Sequence, residues 1–237
     1  MNKSAIIFIP GTLLSPIIFE KITVSHNIQR IDLSWMTEPG SHDIRHIAEN
    51  IVTIIMKQKF DKVILAGQSS GGSIAMLTYL YMQDKERIKG MVLSNCGANN
   101  IGHSNQKSKE EIIASWNKEA LKIFIKNCFS YPLEQSFYER LIKYGSQFSA
   151  EQRIEPLISQ REIDLKDRLC EIKCLTFIAH GRLDKIRTLD HAMQLKNGIP
   201  KSELLLLDGG HTPMYEDYAG YQKIIDRILT ETISDNV

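Results

Sequence analysis

DKVILAGQSSGGS, residues 61–73, is the stretch on which the fold turns. Val63, Ile64, Leu65 and Ala66 form an unbroken apolar run of the kind found in a strand buried on both faces. Gly67, Ser69 and Gly71 follow as Gly-x-Ser-x-Gly, and SIAMLTYLYM (73–82) continues with helical spacing. The chain must pass from strand to helix within about four residues, a turn of the nucleophile-elbow kind. So tight a turn leaves little room beside it, which accounts for a glycine two residues before and two after the serine. It holds Ser69 in strained backbone with its hydroxyl above the strand ends. The neighbouring Ser70 amide then points to where an oxyanion would form. The segment predicts acyl transfer through Ser69.

The rest of the chain is ordinary enough to house such a site. Its 237 residues suit one large domain or one domain with an insertion. A hydrophobic fraction of 43% and a charged fraction of 24% match a globular protein with a sizeable core. A net charge of +1 makes no case for nucleic acid or an anionic membrane as partner. MNKSAIIFIPGT offers only five apolar residues before Pro10-Gly11, too few for a signal segment, and no apolar run approaches a membrane span. Cytoplasmic residence is the expectation. Cys96, Cys128, Cys170 and Cys174 contain no C-x-x-C pair and are expected to be reduced structural thiols, with no metal site.

Outward from the elbow, apolar strand-like runs alternate with helical patterns, which argues for a parallel sheet covered by helices. The expected strands are 5–9, 28–33, 62–66, 89–94, 173–179 and 202–207. A helix is expected over 42–59, with Ser41 as its N-cap. A last helix should run from Met214 or Tyr215 to Thr232, with Tyr218, Tyr221, Ile224, Ile225 and Ile228 inward. Between 97 and 168 no strand is predicted, only a polar loop and amphipathic helices, the strongest over 110–129. That predicts a core of 1–96 and 169–237 and a helical cap of 97–168 above the strand C-termini, where ligands bind in open α/β sheets.

A serine hydroxyl needs a base, and the base needs an orienting carboxylate. Of seven histidines, His26, His42, His46 and His191 fall on early loops or helical segments and read as surface or edge residues. His103 lies in the polar loop entering the cap, and His180 ends a strand before Gly181. His211 differs: it follows the last strand and Gly209-Gly210, and precedes Thr212-Pro213 and the final helix. Such a loop can carry a side chain back over the sheet edge. For the acid, AHGRLDKI places Asp184 five residues past Ala179; Asp190, Asp208 and Glu216 are alternatives, the last explained by a helix-dipole role. The second oxyanion amide should come from Pro10-Gly11-Thr12-Leu13, with Thr12 favoured over Leu13. Leu13, Gln68, Trp116, Phe124 and Phe137 are the expected substrate-pocket set. Most cap aromatics, at helical spacing, are expected to pack cap helices onto each other.

IIFIPGT, VILAGQSSGG, GMVLSNC, FIAHGRLD and LDGGHTP, in this order, resemble the α/β-hydrolase fold family over essentially the whole chain. The chain is most similar to small bacterial capped members, among them carboxylesterases and lactonases. The resemblance implies a Ser69–His211–Asp184 triad, an oxyanion hole from the Ser70 amide and a loop amide, and no cofactor. It also implies an all-parallel sheet of about six strands, the first two family strands being missing, with strand 28–33 at one edge. Two departures stand out: Pro10 replaces the family's usual His before Gly11, and Gln68 replaces the usual His before the nucleophile. The implied activity is hydrolysis of a small, largely uncharged ester, with a lactone or a carbon–carbon bond as alternatives. A slow-turnover ligand receptor on the same fold is the non-enzyme alternative.

Overall fold

The computed structural model describes residues 3–102 and 108–233. Six strands form one sheet: β1 (Ser4–Ile9), β2 (Gln29–Asp32), β3 (Lys62–Gln68), β4 (Ile88–Ser94), β5 (Leu175–Gly181) and β6 (Ser202–Leu207). Their order is β2-β1-β3-β4-β5-β6 and every neighbouring pair is parallel. The expected sheet and its β2 edge are therefore borne out. β3 and β4, in the middle, are buried almost throughout, as their continuous apolar sequences require. β2, at the edge, keeps the polar sequence QRID half-exposed, which blunts an otherwise open strand.

Helices cover the sheet. α1 (Ile44–Lys57) packs on α2 (Ser70–Tyr81), and α2 lies against β3, β4 and β1 with every residue from Ser70 to Leu80 buried. α1 starts two residues later than expected. Its N-cap is Asp43, whose carboxylate accepts the Arg45 N–H, while Ser41 Oγ instead accepts the Asp43 N–H at 3.1 Å. α3 (Lys109–Ser115), α4 (Lys118–Asn127), α5 (Gln135–Ser146) and α6 (Ala150–Arg161) fill the span between β4 and β5. The single helix expected over 110–129 is two: Trp116 is extended, and Asn117 caps a new start by accepting the Ala120 N–H.

α7 (Leu189–Gly198), α8 (Pro213–Glu216) and α9 (Tyr218–Thr232) complete the fold. The last helix is also divided, because Asp217 (φ −116°, ψ 56°) caps α9 by accepting the Gly220 N–H. That puts Tyr218 in the first turn and outside, 48% exposed, whereas Tyr221, Ile224, Ile225 and Ile228 face inward as expected. Ile228 seats over Gly90 of β4, and Tyr221 Oη meets Ser94 Oγ at 3.0 Å. Cys96, Cys128 and Cys174 are buried and Cys170 is exposed, all four free. Among the described residues no helix is long and apolar enough to cross a membrane.

Candidate active site

Because β3, β4, β5 and β6 are parallel neighbours, their C-terminal ends lie along one edge of the sheet. Ser69 follows β3, Asn95 follows β4, Asp184 follows β5 and His211 follows β6. Residues far apart in sequence are thus delivered side by side by topology alone.

Ser69 has φ 56° and ψ −121°, a left-handed backbone that an L-residue adopts only under constraint. The constraint is visible in its flanks. A Cβ on Gly67 would stand 2.2 Å from Gly71 O, and one on Gly71 would stand 2.0 Å from Ile9 O. Side chains at either position would push the helix off the strand. The Ser69 N–H still reaches Ser94 O at 2.9 Å, so the sheet ladder runs up to the turn. Ser70 then opens α2, where its N–H has no intrahelical acceptor.

His211 is 3% exposed and its Nδ1 lies 2.8 Å from Asp184 Oδ2, with the Asp184 side chain fully covered. An ionised carboxylate can only accept, so Nδ1 donates to it, and whenever the ring holds a single proton the lone pair is on Nε2. Asp184 Oδ1 accepts the Ile186 and Arg187 N–H groups at 2.7 and 3.2 Å, and Oδ2 also accepts Asn95 Nδ2 at 2.6 Å. Burial alone would raise this carboxyl. The charge of His211 and the donors from His211, Asn95 and Ile186 outweigh burial and hold it at about 2.

The alternative acids have other partners. Asp190 is exposed on α7, Asp208 accepts from Tyr131 Oη at 2.7 Å, and Glu216 accepts three backbone N–H groups. Of the other histidines, His26 and His46 are exposed as expected. His42 and His191 are not surface residues: His42 Nε2 bonds Met36 O and His191 Nε2 bonds Ile101 O, each at 3.0 Å and buried. His180 is buried inside β5, and His103 lies outside the described residues.

Three expected site residues sit differently from the sequence reading. The Thr12 N–H donates to Ser70 Oγ at 2.7 Å, and the two hydroxyls lie 2.9 Å apart, so that amide is already engaged. The Leu13 N–H lies 2.9 Å from Met36 Sδ, a weak acceptor, and Leu13 itself (φ 65°) has its side chain sealed in the core. Gln68 is fully buried rather than open to a pocket. Its Oε1 accepts the Gly11 N–H and its Nε2 donates to His211 O, both at 2.9 Å. The residue before Ser69 thereby pins the loop after β1 to the loop after β6.

Phe137, 1% exposed, stacks on Tyr215 at 3.7 Å, with Phe129 edge-on to both, and so packs α5 onto α8 rather than lining open space. Trp116 and Phe124, half-buried, pack on each other with Arg153 over the indole. A cleft of about 330 Å³ between the start of α1 and α6 has none of the candidate site residues in its lining. Three of its four acids are engaged by these neighbours, Asp43 and Glu162 by Arg45 and Glu155 by Ser41 and the His42 N–H.

Sequence reasoning missed Asn95 and Arg187. Asn95 (φ 49°) tops β4 and donates to both Asp184 and Gly210 O, the latter at 3.2 Å. Its place directly after a central strand was the available signal. Arg187 is fully covered and bonds Asn99 O and Asn100 Oδ1, and burial lowers its pKa to about 10. Nothing local in LDKIRT distinguishes it from a surface arginine.

A strand-to-helix elbow, helices on a six-stranded all-parallel sheet and this strand order give the chain the α/β-hydrolase fold, and the fold resemblance read from the sequence is borne out. No protein-family model matches the chain. Over 187 residues, 74% of this chain and 69% of the relative, it is 27% identical to the AB hydrolase superfamily protein YisY of Bacillus subtilis. An esterase from Exiguobacterium antarcticum superposes with a TM-score of 0.79 at 18% identity, covering 96% of this chain and 92% of that one. A bromoperoxidase from Bacillus anthracis superposes at 0.80 and 16% identity, covering 97% and 92%.

Proposed function

We propose that the protein is a serine hydrolase that cleaves small, largely uncharged carboxylic esters through a Ser69–His211–Asp184 triad and an acyl-enzyme. Fold alone does not carry this, because the same fold serves proteins named for different reactions. One observation does. The buried Asp184–His211 pair stands at the same strand edge as the elbow, and Gln68, directly before a serine held at φ 56°, donates its Nε2 to His211 O at 2.9 Å.

Asp184 keeps the proton on Nδ1, so His211 Nε2 accepts the Ser69 proton as Oγ attacks the acyl carbonyl. The imidazolium then protonates the leaving alcohol, and water attacks the acyl-enzyme with the roles reversed. The Ser70 N–H, free at the start of α2, stabilises the oxyanion; one such donor supplies about 3 kcal/mol in comparable enzymes. The second donor comes from the loop after β1. For Thr12 to act, Ser70 Oγ must rotate off its amide; for Leu13, the oxyanion must displace only a thioether. Residues 97–168 act as a cap over this edge and select the acyl group.

The test is a p-nitrophenyl ester series of increasing acyl length with the parent and Ser69→Ala. Many turnovers by the parent, an acyl-length optimum and none by a folded Ser69→Ala protein are expected. Substantial activity in that variant would remove Ser69 from the mechanism.

A further inference from the structure

The loop carrying His211 is not held by the sheet alone. Residues 128–131, between α4 and α5, run across it as a strap. Thr212 Oγ1 donates to Cys128 O, Ser130 Oγ to Leu183 O at 3.3 Å, and Tyr131 Oη to Asp208 Oδ1 at 2.7 Å. At the centre is Glu216, on the first helical turn after His211. Its Oε1 accepts the N–H groups of Ser130 and Tyr131 at 2.6 and 2.9 Å, and its Oε2 accepts the Gly210 N–H at 2.7 Å. One carboxylate therefore joins the strap to the peptide just before His211.

The backbone around His211 is clamped by side chains from three separate elements. Glu216 holds the Gly210 N–H, Asn95 holds Gly210 O, and Gln68 holds His211 O. Of the three clamps only Glu216 also bonds the 128–131 strap. The close approach is built into the sequence as well, because a Cβ on Gly210 would stand 2.6 Å from Ser130 Oγ. A side chain there would turn the Ser130 hydroxyl aside and press on the strap backbone, 3.1 Å away at Ser130 N.

We infer that Glu216 is a positioning residue through which the 128–131 strap fixes the His211 backbone, and with it the placement of the imidazole at Ser69. The inference rests on His211 being the general base. A dipole role at the start of α8 would need only a charge near the helix end. It would not need three backbone donors from two segments divided between the two oxygens. A carboxylate is the side chain that can accept all three. Glutamine has one acceptor oxygen, so its NH₂ must face either Gly210 or the Ser130–Tyr131 pair, donor against donor. Aspartate keeps the charge but is one methylene too short to reach both sides.

The experiment compares the parent, Glu216→Gln, Glu216→Asp and Gly210→Ala on p-nitrophenyl acetate and hexanoate, with Ser69→Ala alongside. Gly210→Ala presses on the strap, its Cβ falling 2.6 Å from Ser130 Oγ and 3.4 Å from Glu216 Oε2, while leaving the carboxylate itself unchanged. A displacement of the base by a fraction of an ångström should lower kcat by about ten- to a hundredfold while KM stays within about threefold. Near-UV circular dichroism should remain that of the parent. Glu216→Gln and Gly210→Ala should not add when combined, since they break one connection. If Glu216→Gln does not fold, Glu216→Asp and Gly210→Ala supply the same kcat and KM readout. A kcat within twofold of the parent per folded molecule, or a loss matched by loss of folded protein alone, overturns the inference. Activity surviving in Ser69→Ala would overturn instead the hydrolase reading on which it rests.

Discussion

Replacing Asp184 with asparagine tests the acid–imidazole pair most directly. Four donors converge on this carboxylate: His211 Nδ1 and Asn95 Nδ2 on Oδ2, and the Ile186 and Arg187 N–H groups on Oδ1. An asparagine supplies one acceptor oxygen. Both backbone donors are fixed, so the oxygen stays with them and the NH₂ turns toward His211. The imidazole must answer by accepting at Nδ1, which moves its proton to Nε2 and leaves no lone pair for the Ser69 hydroxyl. In the comparable serine-protease substitution this tautomer error costs about 10⁴ in kcat, or roughly 5.5 kcal/mol of barrier. The same loss in kcat/KM is expected at neutral pH on p-nitrophenyl butyrate, with the fold retained. A second readout is stability against pH. The folded carboxyl sits at about 2, depressed from its ordinary value, so its contribution is complete above about pH 4 and disappears as pH falls through 2. The depression corresponds to about 2 kcal/mol, so the gap in unfolding free energy between parent and Asp184→Asn should narrow by that amount from pH 5 to pH 2. A folded variant within tenfold of the parent in kcat/KM would refute the pairing argument, whatever its stability.

Two more substitutions probe the elbow and its clasp. Ser69→Gly removes the strain of the left-handed serine, so it should exceed Ser69→Ala in urea stability by about 1–2 kcal/mol even though both are inactive; equal midpoints would mean the turn stores no strain. Gln68→Met keeps the volume but leaves the Gly11 N–H buried without a partner, at a cost of about 2–3 kcal/mol, and kcat should fall with it. A change below about 0.5 kcal/mol on denaturation would show that the amide clasp is not holding the two loops.

Much of the scaffold was legible because it is local. β6 spans the expected residues, and β3 and β4 announce themselves as apolar runs long enough to cross a buried sheet. Helix ends were less legible. Ser41 and Asp43 are both competent caps, and the choice fell to Asp43 because Ser41 was drawn to Glu155 of α6. Asn117 and Asp217 each broke a helix that apolar spacing alone would have run straight through, since a side-chain acceptor at those points satisfies a new set of N-terminal amides. The aromatics between β4 and β5 were the least legible. Periodicity gives Phe137 an apolar face but cannot say that the face meets Tyr215.

From the sequence alone came the residues to which the proposed chemistry is assigned: the elbow around Ser69, a histidine after two glycines, an aspartate after a strand. Each is marked by short-range constraints of turn, strand and spacing. What holds their loops in place was decided only in three dimensions. Gln68 reaches His211 O across 143 residues, Asn95 reaches Asp184 across 89, and Glu216 reaches Ser130 across 86. The Thr12 amide, free in any reading of PGTL, is taken by Ser70 Oγ across 58. A hydrogen bond depends on where two atoms stand, to within a few tenths of an ångström. At such separations only the packed sheet and its helices determine that.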